Sequence, residues 1–210
     1  LTLTNATITG APSRKYTSTI TDACGIYAKH DLKVALVGSS TINRTPTEQL
    51  YGSYGIFVSG KLTFTSDSAG SITVSGGTSS NNGNAWVPGV YASGITVNNC
   101  NVTVSGGTAT KDTYPVSYAM STVPTLIGVE IVNANTANNA ADPSLEYNKS
   151  KNSTYKYLQI TKKANVDTTV ADPVIEPESG YFTGAVAVKM SCLTSGAEIY
   201  YTTNGSEPTT

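Results

Sequence analysis

The stretch ITVSGGT at residues 72–78 returns almost unchanged as VTVSGGT at residues 102–108. Longer phrases precede the two copies: GIFVSGKLTFTS begins at Gly55 and GVYASGITVNN begins at Gly89. A related phrase, GIYAKHDLKVAL, begins at Gly25, so the spacings between the three are 30 and 34 residues. Repetition with a period of this size is typical of solenoids, in which each copy forms one coil.

Within each copy, apolar and polar residues alternate with the period of a β-strand. Leu62 and Phe64 point one way, while Thr63 and Thr65 point the other. About three short strands cannot bury an apolar face alone, but stacked copies can. The sequence therefore predicts an all-β chain whose main part is a parallel β-helix, right-handed because parallel crossovers prefer that hand. An antiparallel β-sandwich is the alternative, since short strands with regular turns also fit it.

The aligned copies predict which residues stack along the solenoid. A weaker fourth copy, beginning at residue 115, completes the first row. The predicted rows are Ile26, Ile56, Val90 and Val116 on one strand, and Leu32, Leu62 and Ile95 on the next. The glycine pairs at residues 76–77 and 106–107 fall at equivalent corners, where we expect backbone angles that a Cβ resists.

The chain beyond the repeats predicts the domain organisation. An Asn-rich segment poor in apolar residues follows the repeats and is typical of a loop or cap, and the strand-like YKYLQI at residues 155–160 is expected to close the solenoid. We assign residues 1–161 to the β-helix domain with its capping loop and residues 162–172 to a linker. Residues 173–210 are predicted to form a partial β-module. The segment holds two or three strands, which do not make a stable domain alone.

The composition excludes several classes of protein. Only 13% of the 210 residues are charged and the formal net charge is −1, whereas nucleic-acid binding requires a basic surface. The apolar runs are much shorter than the ~20 residues of a membrane-spanning helix, so no membrane insertion is expected. Cys24, Cys100 and Cys192 show neither a disulfide framework nor zinc-ligand spacing, and we expect them to be buried.

The acidic residues do not form a catalytic set. Lyases and hydrolases built on β-helices need clustered carboxylates, for calcium with an arginine base or for paired acid and base work. In the aligned copies Asp31 falls opposite Lys61 and Gly94, and Arg14 and Arg44 are the only arginines. We therefore expect no enzymatic activity and assign no catalytic residue. Catalysis stays an alternative, since loops can bring distant acids together.

Two resemblances are visible in the residues. The phrases GIYA, GIFV, LTFT and ITVSGG resemble the right-handed β-helix carbohydrate-binding proteins on the surface of clostridia and other gut Firmicutes, over residues 1–161. In the tail, P-x-I-x-P at residues 173–177, GYFTG and IYYTTNGSEPT resemble the chitobiase/β-hexosaminidase C-terminal-like module. That module is an accessory Ig-like domain of secreted bacterial proteins, and this chain holds about its first half.

The resemblances imply a location and a partner. An extracellular protein attached to the cell wall or cell surface is expected, carrying other modules of a longer chain. Its expected partner is a polysaccharide from a plant or a host. No cofactor is implied and no metal ligand is assigned, while a role for calcium in holding the sugar is left open.

An outward row of rings is one candidate surface for a glycan. If the residue before each ring faces inward, then Tyr27, Phe57 and Tyr91 face outward with the ~4.8 Å spacing of neighbouring strands. Such rings offer flat apolar faces to the axial C–H groups of a pyranose. The alternative is a stabilising ladder, since cross-strand aromatic pairs contribute roughly 0.2–1 kcal/mol each.

The long turns at residues 44–54 and 78–88 form the other candidate surface, because they should leave the same corner of neighbouring coils. The predicted stacking groups are Trp86, Tyr51 and Tyr54, and the predicted hydrogen-bond donors are Asn82, Asn84 and Arg44. Amides and charged groups beside a ring suit sugar hydroxyls and the apolar sugar face together. We expect this corner to be the preferred binding site. Filling an apolar gap is the alternative role for Trp86.

Three functions from different classes follow. The first is a non-catalytic polysaccharide-binding or adhesion protein of a bacterial surface. The second is a structural spacer or adhesin scaffold that binds no small ligand. The third is a β-helix polysaccharide lyase or glycoside hydrolase.

Overall fold

The computed structural model describes residues 1–10, 13–15, 21–44, 51–68, 70–79, 85–110, 116–137, 145–163, 171–194 and 197–208. The chain divides into two compact units, Leu1–Lys163 and Ala164–Thr210. The boundary falls inside the segment for which the sequence predicts a linker. The first unit contains every copy of the repeat.

Short strands build the first unit. They are β1 (Thr2–Thr4), β2 (Thr7–Ile8), β3 (Ser13–Lys15), β4 (Thr21–Ala28), β5 (Leu32–Val37), β6 (Ser39–Asn43), β7 (Gly52–Val58), β8 (Lys61–Thr65), β9 (Ser71–Ser75), β10 (Thr78–Ser79), β11 (Val90–Tyr91), β12 (Gly94–Asn98), β13 (Asn101–Ser105), β14 (Thr108–Ala109), β15 (Thr125–Ile127), β16 (Val129–Asn135) and β17 (Tyr157–Lys162). In the described part of this unit, helical structure is confined to the 3-10 helix Lys149–Thr154.

Three main sheets run along the solenoid, because each coil adds one strand to each sheet. Their strand orders are β1-β5-β8-β12-β15, β11-β7-β4-β3 and β16-β17-β13-β9-β6-β2, and β10 and β14 form a short fourth sheet. Strands of successive coils pair in parallel, as β5 does with β8 and β8 with β12. The predicted parallel β-helix is confirmed, and the β-sandwich alternative is wrong.

The predicted rows are confirmed over three coils. Ile26 lies opposite Ile56, and Ile56 lies opposite Val90. In the second row, Leu62 lies between Leu32 and Ile95. Because side chains alternate between the two faces of each strand, every second residue of a strand such as β8 points into the interior. The largest fully buried side chains are Phe64, Leu36, Ile42, Ile56, Leu62, Ile72, Met120, Leu158, Ile160, Val34 and Val58.

The prediction for the fourth coil is wrong by four residues. Val90 bridges to Met120, while Val116 bridges to Trp86. Met120 is completely buried, as a core position requires, whereas Val116 is partly exposed. The copy is hard to recognise because Ala119 stands where earlier copies have glycine.

The repeated SGGT phrase occupies equivalent corners, as predicted, but the expected reason is wrong. Gly76 N–H donates to Ser105 O, and Thr108 N–H donates to Gly77 O. None of the four corner glycines has a positive φ. A Cβ on Gly107 would instead collide with the carbonyl oxygen of Gly77. The corner excludes side chains because neighbouring backbones approach too closely there.

The glycine that begins each repeat phrase has a similar role. A Cβ on Gly55 would collide with the Val74 side chain, and one on Gly89 with the Val104 side chain. Glycine is needed at these positions because a valine from the adjacent sheet fills the space. The phrase beginning with glycine therefore marks the closest approach between two sheets.

An antiparallel strand closes the C-terminal end of the solenoid. Strand β17 lies between β13 and β16 and pairs antiparallel with both. In the 3-10 helix before it, Asn152 Nδ2 donates to Met120 O at 2.9 Å and Asn152 Oδ1 accepts from Tyr147 Oη at 2.7 Å. Tyr155 is buried in the same cap. The expectation that residues 155–160 close the solenoid is correct, with the strand beginning at Tyr157.

The second unit contains a small antiparallel sheet. Strand β18 (Val174–Glu176) pairs with β19 (Lys189–Ser191), and the Glu176–Pro177 peptide bond is cis. Many of its large apolar side chains are exposed, including Tyr181 at 96% and Leu193 at 91%. Its described residues therefore bury little apolar surface.

Candidate functional site

A row of rings crosses the outside of the sheet that contains β4, β7 and β11. Tyr27 lies opposite Phe57, and Phe57 lies opposite Tyr91. The rings of Phe57 and Tyr91 are stacked, with centroids 4.9 Å apart and an interplanar angle of 9°, and Tyr27 lies 5.8 Å from Phe57 at 32°. Tyr27 is exposed, while the other two rings are partly buried. The structure thus forms the row that the sequence predicts.

Tyr54 joins this row because the strand bends. Its ring lies edge-on to Phe57 at 5.1 Å and edge-on to Tyr91 at 6.1 Å. Residues three apart in a regular strand point to opposite faces. Here, however, Gly55 and Ile56 both face the interior, since a Cβ on Gly55 would meet Val74 and Ile56 is completely buried. The bend brings Tyr54 into contact with Phe57, but the ring of Tyr54 is only 5% exposed, so the structure buries a side chain that the sequence predicts as a stacking group.

Trp86 reaches the same row from the next coil. It bridges to Gly52 on one side and Val116 on the other. Its indole lies edge-on to the Tyr91 ring, with centroids 6.5 Å apart and planes at 68°. The side chain is partly buried, so it both packs against the row and contributes to the surface.

The two predicted surfaces are therefore one. We call it the aromatic face and define it by Tyr27, Tyr54, Phe57, Trp86 and Tyr91. The sequence predicts the corner and the row as separate candidate surfaces, but the ring contacts join them into a continuous cluster.

Tyr118, which the sequence pattern does not single out, lies beside the aromatic face on the fourth coil. Gly89 N–H donates to Tyr118 O at 3.0 Å, which places Tyr118 next to the third coil. Ser117 Oγ donates to Gly107 O inside the solenoid, so Tyr118 points outward by alternation. Burial raises the pKa of Tyr118 to about 12, and the neighbouring Tyr91 phenol adds to the shift. In the corrected register Tyr118 corresponds to Pro88 on the third coil, while Ser121 takes the position that corresponds to Tyr91.

The other predicted site residues lie beneath the face or outside the described structure. Tyr51 is partly buried, and its carbonyl accepts from Trp86 N–H at 2.9 Å. Arg44 is only 9% exposed, and its Cγ packs near Gly77. The structure thus joins Tyr51 to Trp86 through the backbone, and it buries the side chain expected to donate from Arg44. Asn82 and Asn84 lie outside the described residues.

The aromatic face combines apolar and hydrogen-bonding surface. Phe57 and Tyr91 each cover one face of the other, so the remaining surface consists of ring edges, uncovered faces and the phenol groups of tyrosines. Apolar ring surface packs against C–H groups, while phenol hydroxyls donate and accept hydrogen bonds. Such a surface suits a ligand that carries both kinds of group.

Two charged groups near the face are buried. Asp22 and Arg44 are 3% and 9% exposed. Asp31, further along the coil, is used structurally, since its Oδ1 accepts from Lys61 N–H at 2.8 Å. Across the described residues, no group of three or more His, Cys, Asp or Glu side chains could hold a metal ion.

The cysteines behave largely as expected. Cys24 and Cys100 are buried and Cys192 is half-buried, so the expectation of burial is wrong for Cys192. Burial raises the pKa of the Cys100 thiol to about 11, which keeps it protonated and unreactive at neutral pH. In the described part of the chain, no helix has the length and apolar character needed to span a membrane.

Comparison with known proteins identifies the tail. Residues 177–210 match the family model of the chitobiase/β-hexosaminidase C-terminal domain. No curated protein and no solved structure matches the chain. The resemblance seen in the tail is therefore confirmed, and the resemblance of the repeats to clostridial surface proteins stays a prediction. The chain combines a parallel β-solenoid that displays an aromatic face with a carbohydrate-related C-terminal module.

Proposed function

We propose that the solenoid is a non-catalytic polysaccharide-binding module and that the aromatic face binds the glycan. The observation that carries the proposal is the continuous cluster of five rings over three coils, in which Tyr54 is buried and the other four rings reach the surface. Clusters of large apolar side chains on a protein surface mark interaction sites. Aromatic rings with phenol groups match the alternating apolar and hydroxyl character of a sugar.

The C-terminal match supports a carbohydrate-related role. Residues 177–210 belong to the type of module found in chitobiase and β-hexosaminidase. A second carbohydrate-related module in the same chain is consistent with binding through more than one site, which raises the apparent affinity for a polymer.

Binding without catalysis is the form of the proposal that the residues favour. In the solenoid, Asp31 accepts a backbone hydrogen bond and Asp22 is buried beneath the face. The paired carboxylates of a glycosidase instead flank the scissile bond at an open surface. We therefore assign the aromatic face to retention of the glycan and not to its cleavage.

The proposed location is the outside of a bacterial cell, on the wall or surface. There the protein would take part in adhesion to plant or host polysaccharide, alongside other modules of a longer chain. The support is the resemblance of the repeats together with the family match of the tail.

A structural spacer is the second candidate function. The observation that favours it is the stacking of Phe57 on Tyr91, since rings that cover each other contribute to stability whether or not a ligand binds. In this case the face would hold successive coils in register and the solenoid would display other modules.

A glycan array combined with a reducing-end assay separates the candidates. Binding without new reducing ends supports the proposal, silence across the array supports the spacer, and new reducing ends support a lyase or hydrolase. Tyr91→Ala should lose binding to any glycan found. Leu126→Ala, which removes a 37% exposed apolar side chain from β15 in a different sheet of the solenoid, is the control and should bind normally.

A further inference from the structure

We propose that a cleft in the cap of the solenoid is a second carbohydrate site, which binds a sugar carrying an anionic group, either a carboxylate or a sulfate ester. The cleft has a volume of about 810 Å³, within the ~300–1,000 Å³ range of small-molecule sites. We call it the cap cleft, and its lining includes Glu146, Tyr147, Asn148, Lys149, Lys151 and Tyr155. The proposal rests on the proposed function for the general class of ligand, a saccharide, but places it away from the aromatic face.

Two tyrosine side chains line the cap cleft. The ring centroids of Tyr147 and Tyr155 lie 5.3 Å apart and the ring planes meet at 34°. Tyr155 is 3% exposed, whereas Tyr147 is only partly buried. The cleft therefore contains aromatic surface, which packs against the C–H groups of a pyranose.

Hydrogen bonds hold this lining in place without a ligand. Tyr155 Oη donates to Glu146 O and accepts from Asn148 N–H, both at 2.9 Å. Tyr147 Oη donates to Asn152 Oδ1 at 2.7 Å. Because both phenols are fixed within the cap, a ligand meets a lining that is already ordered, which lowers the entropic cost of binding.

The charged side chains of the cap cleft are available to a ligand. Glu146, Lys149 and Lys151 line the cleft and are exposed. Within the part of the chain that the structure describes, none of these three side chains makes a hydrogen bond or an ion pair. Two ammonium groups and one carboxylate give the lining an excess of positive charge. Since ammonium groups form strong, charge-assisted hydrogen bonds with anionic oxygens, the cleft suits an acidic sugar better than a neutral one.

The test compares saccharides that differ mainly in charge. Trigalacturonic acid and its fully methyl-esterified form are titrated into the full chain by calorimetry, together with a sulfated κ-carrageenan tetrasaccharide. At least one of the two acidic saccharides should bind, and comparison of the two separates a carboxylate from a sulfate ester as the anionic group. The neutral ester should bind more weakly than the acid. Added sodium chloride should weaken binding of the acidic ligand, because salt screens exposed charges.

Charge variants with opposite expected effects sharpen the test. Lys149→Gln and Lys151→Gln should each weaken binding of the acidic saccharide roughly two- to fivefold, the range expected for an exposed ion pair. Glu146→Gln should strengthen it, because it removes a repelling charge. Lys61→Gln removes one positive charge from an exposed position of β8, outside the cap cleft, and is the matched control. Thermal unfolding of each variant shows that the solenoid is folded.

Equal binding of trigalacturonic acid and its ester, unchanged binding in both lysine variants, or failure of both acidic saccharides to bind would overturn the proposal. Displacement of the saccharide by an equal concentration of sodium sulfate would show a site for simple anions and would overturn the saccharide class.

A comparison with Tyr91→Ala separates this proposal from the proposed function. If Tyr91→Ala loses the acidic saccharide while both lysine variants keep it, the ligand occupies the aromatic face, so the proposed function stands and the cap cleft is wrong. If the lysine variants lose the acidic saccharide while Tyr91→Ala binds every glycan normally, the cap cleft stands and the assignment of the aromatic face is wrong.

Discussion

The rings of Phe57 and Tyr91 lie 4.9 Å apart and within 9° of parallel, so one face of each is occupied by the other. The stack is linked to Tyr54, which is edge-on to both rings. The centre of the aromatic face is therefore part of the packing of the solenoid. Tyr27 and Trp86, at its margins, have more surface available for other contacts.

Phe57→Ala should destabilise the solenoid by about 2–4 kcal/mol, because it removes contacts with the rings of Tyr27, Tyr54 and Tyr91, each worth ~0.5–1.5 kcal/mol beyond burial. Urea unfolding measures the change. Tyr27→Ala is the comparison variant, and its exposed position predicts a smaller loss. Equal losses for the two variants would show that the ring cluster is not the source of the stability.

Trp86→Ala should weaken binding of a confirmed glycan by ~1–3 kcal/mol, about tenfold or more, by analogy with aromatic stacking on nucleotide bases. The solenoid should stay folded, since the indole is only partly buried and contacts Tyr91 edge-on. Calorimetry and thermal unfolding are measured side by side, with Leu126→Ala, an exposed apolar residue of a different sheet, as the control. Normal binding together with a lower melting temperature would identify Trp86 as a packing residue.

Gly55→Ala should destabilise the solenoid by about 1–3 kcal/mol or more, because the added Cβ would collide with the Val74 side chain in a close-packed interior. Gly94→Ala is the matched control. A Cβ there would lie 3.5 Å from Lys61 Cγ, an ordinary contact, so no loss of stability is expected. Denaturant unfolding of both variants checks the pair. Similar stabilities would contradict the close approach of the two sheets.

Asn152→Ala should destabilise the cap by about 1–3 kcal/mol, because it removes the donor to Met120 O and the acceptor for Tyr147 Oη. Hydrogen exchange of the amides of β17 should increase, since that strand follows the 3-10 helix. Lys149→Ala, an exposed substitution in the same helix, should change stability by less than about 0.5 kcal/mol. If the β17 amides are protected equally in Asn152→Ala, the 3-10 helix does not contribute to closing the solenoid.

Alkaline pH should destabilise the solenoid through Tyr118. Its pKa is raised from the model-compound value of 10.0 to about 12, mainly by burial. Between these two pH values the unfolded chain loses the phenol proton while the folded chain keeps it. The contribution of Tyr118 to the free energy of unfolding is therefore complete below pH 10 and is lost as the pH rises to about 12. Thermal unfolding across this range should show the decline. Tyr118→Phe should reduce the slope, and an unchanged slope would contradict the assignment.

The sequence predicted the solenoid well where the copies were complete. The register of Ile56 with Val90 followed from two phrases that each begin with glycine, an aliphatic residue and an aromatic residue. The fourth coil has Ala119, Met120 and Ser121 at these positions, so two of the three signals are missing. Met120 is recognised as a core residue by its complete burial. That burial depends on packing against the neighbouring coil, so it is not visible in the local sequence.

The continuity of the aromatic face could not be predicted from alternation. The period of a strand places Tyr54 and Phe57 on opposite faces, and their contact depends on a bend at Gly55. Gly55 is required there because the Val74 side chain, which belongs to a different sheet and a later part of the repeat, leaves no room for a Cβ. Tertiary contacts of this kind override the local pattern.

The reversed direction of β17 restricts how proteins of this architecture can change in length during evolution. Duplication of a coil between β4 and β14 would add a parallel strand to each sheet and replace each interrupted pairing with an equivalent parallel one. A coil inserted after β13 would instead have to displace β17, which already pairs with Val102 and Val104 in the opposite direction. Gain or loss of coils by recombination should therefore be tolerated in the middle of the solenoid, while the terminal coil and its closing strand are inherited as one unit.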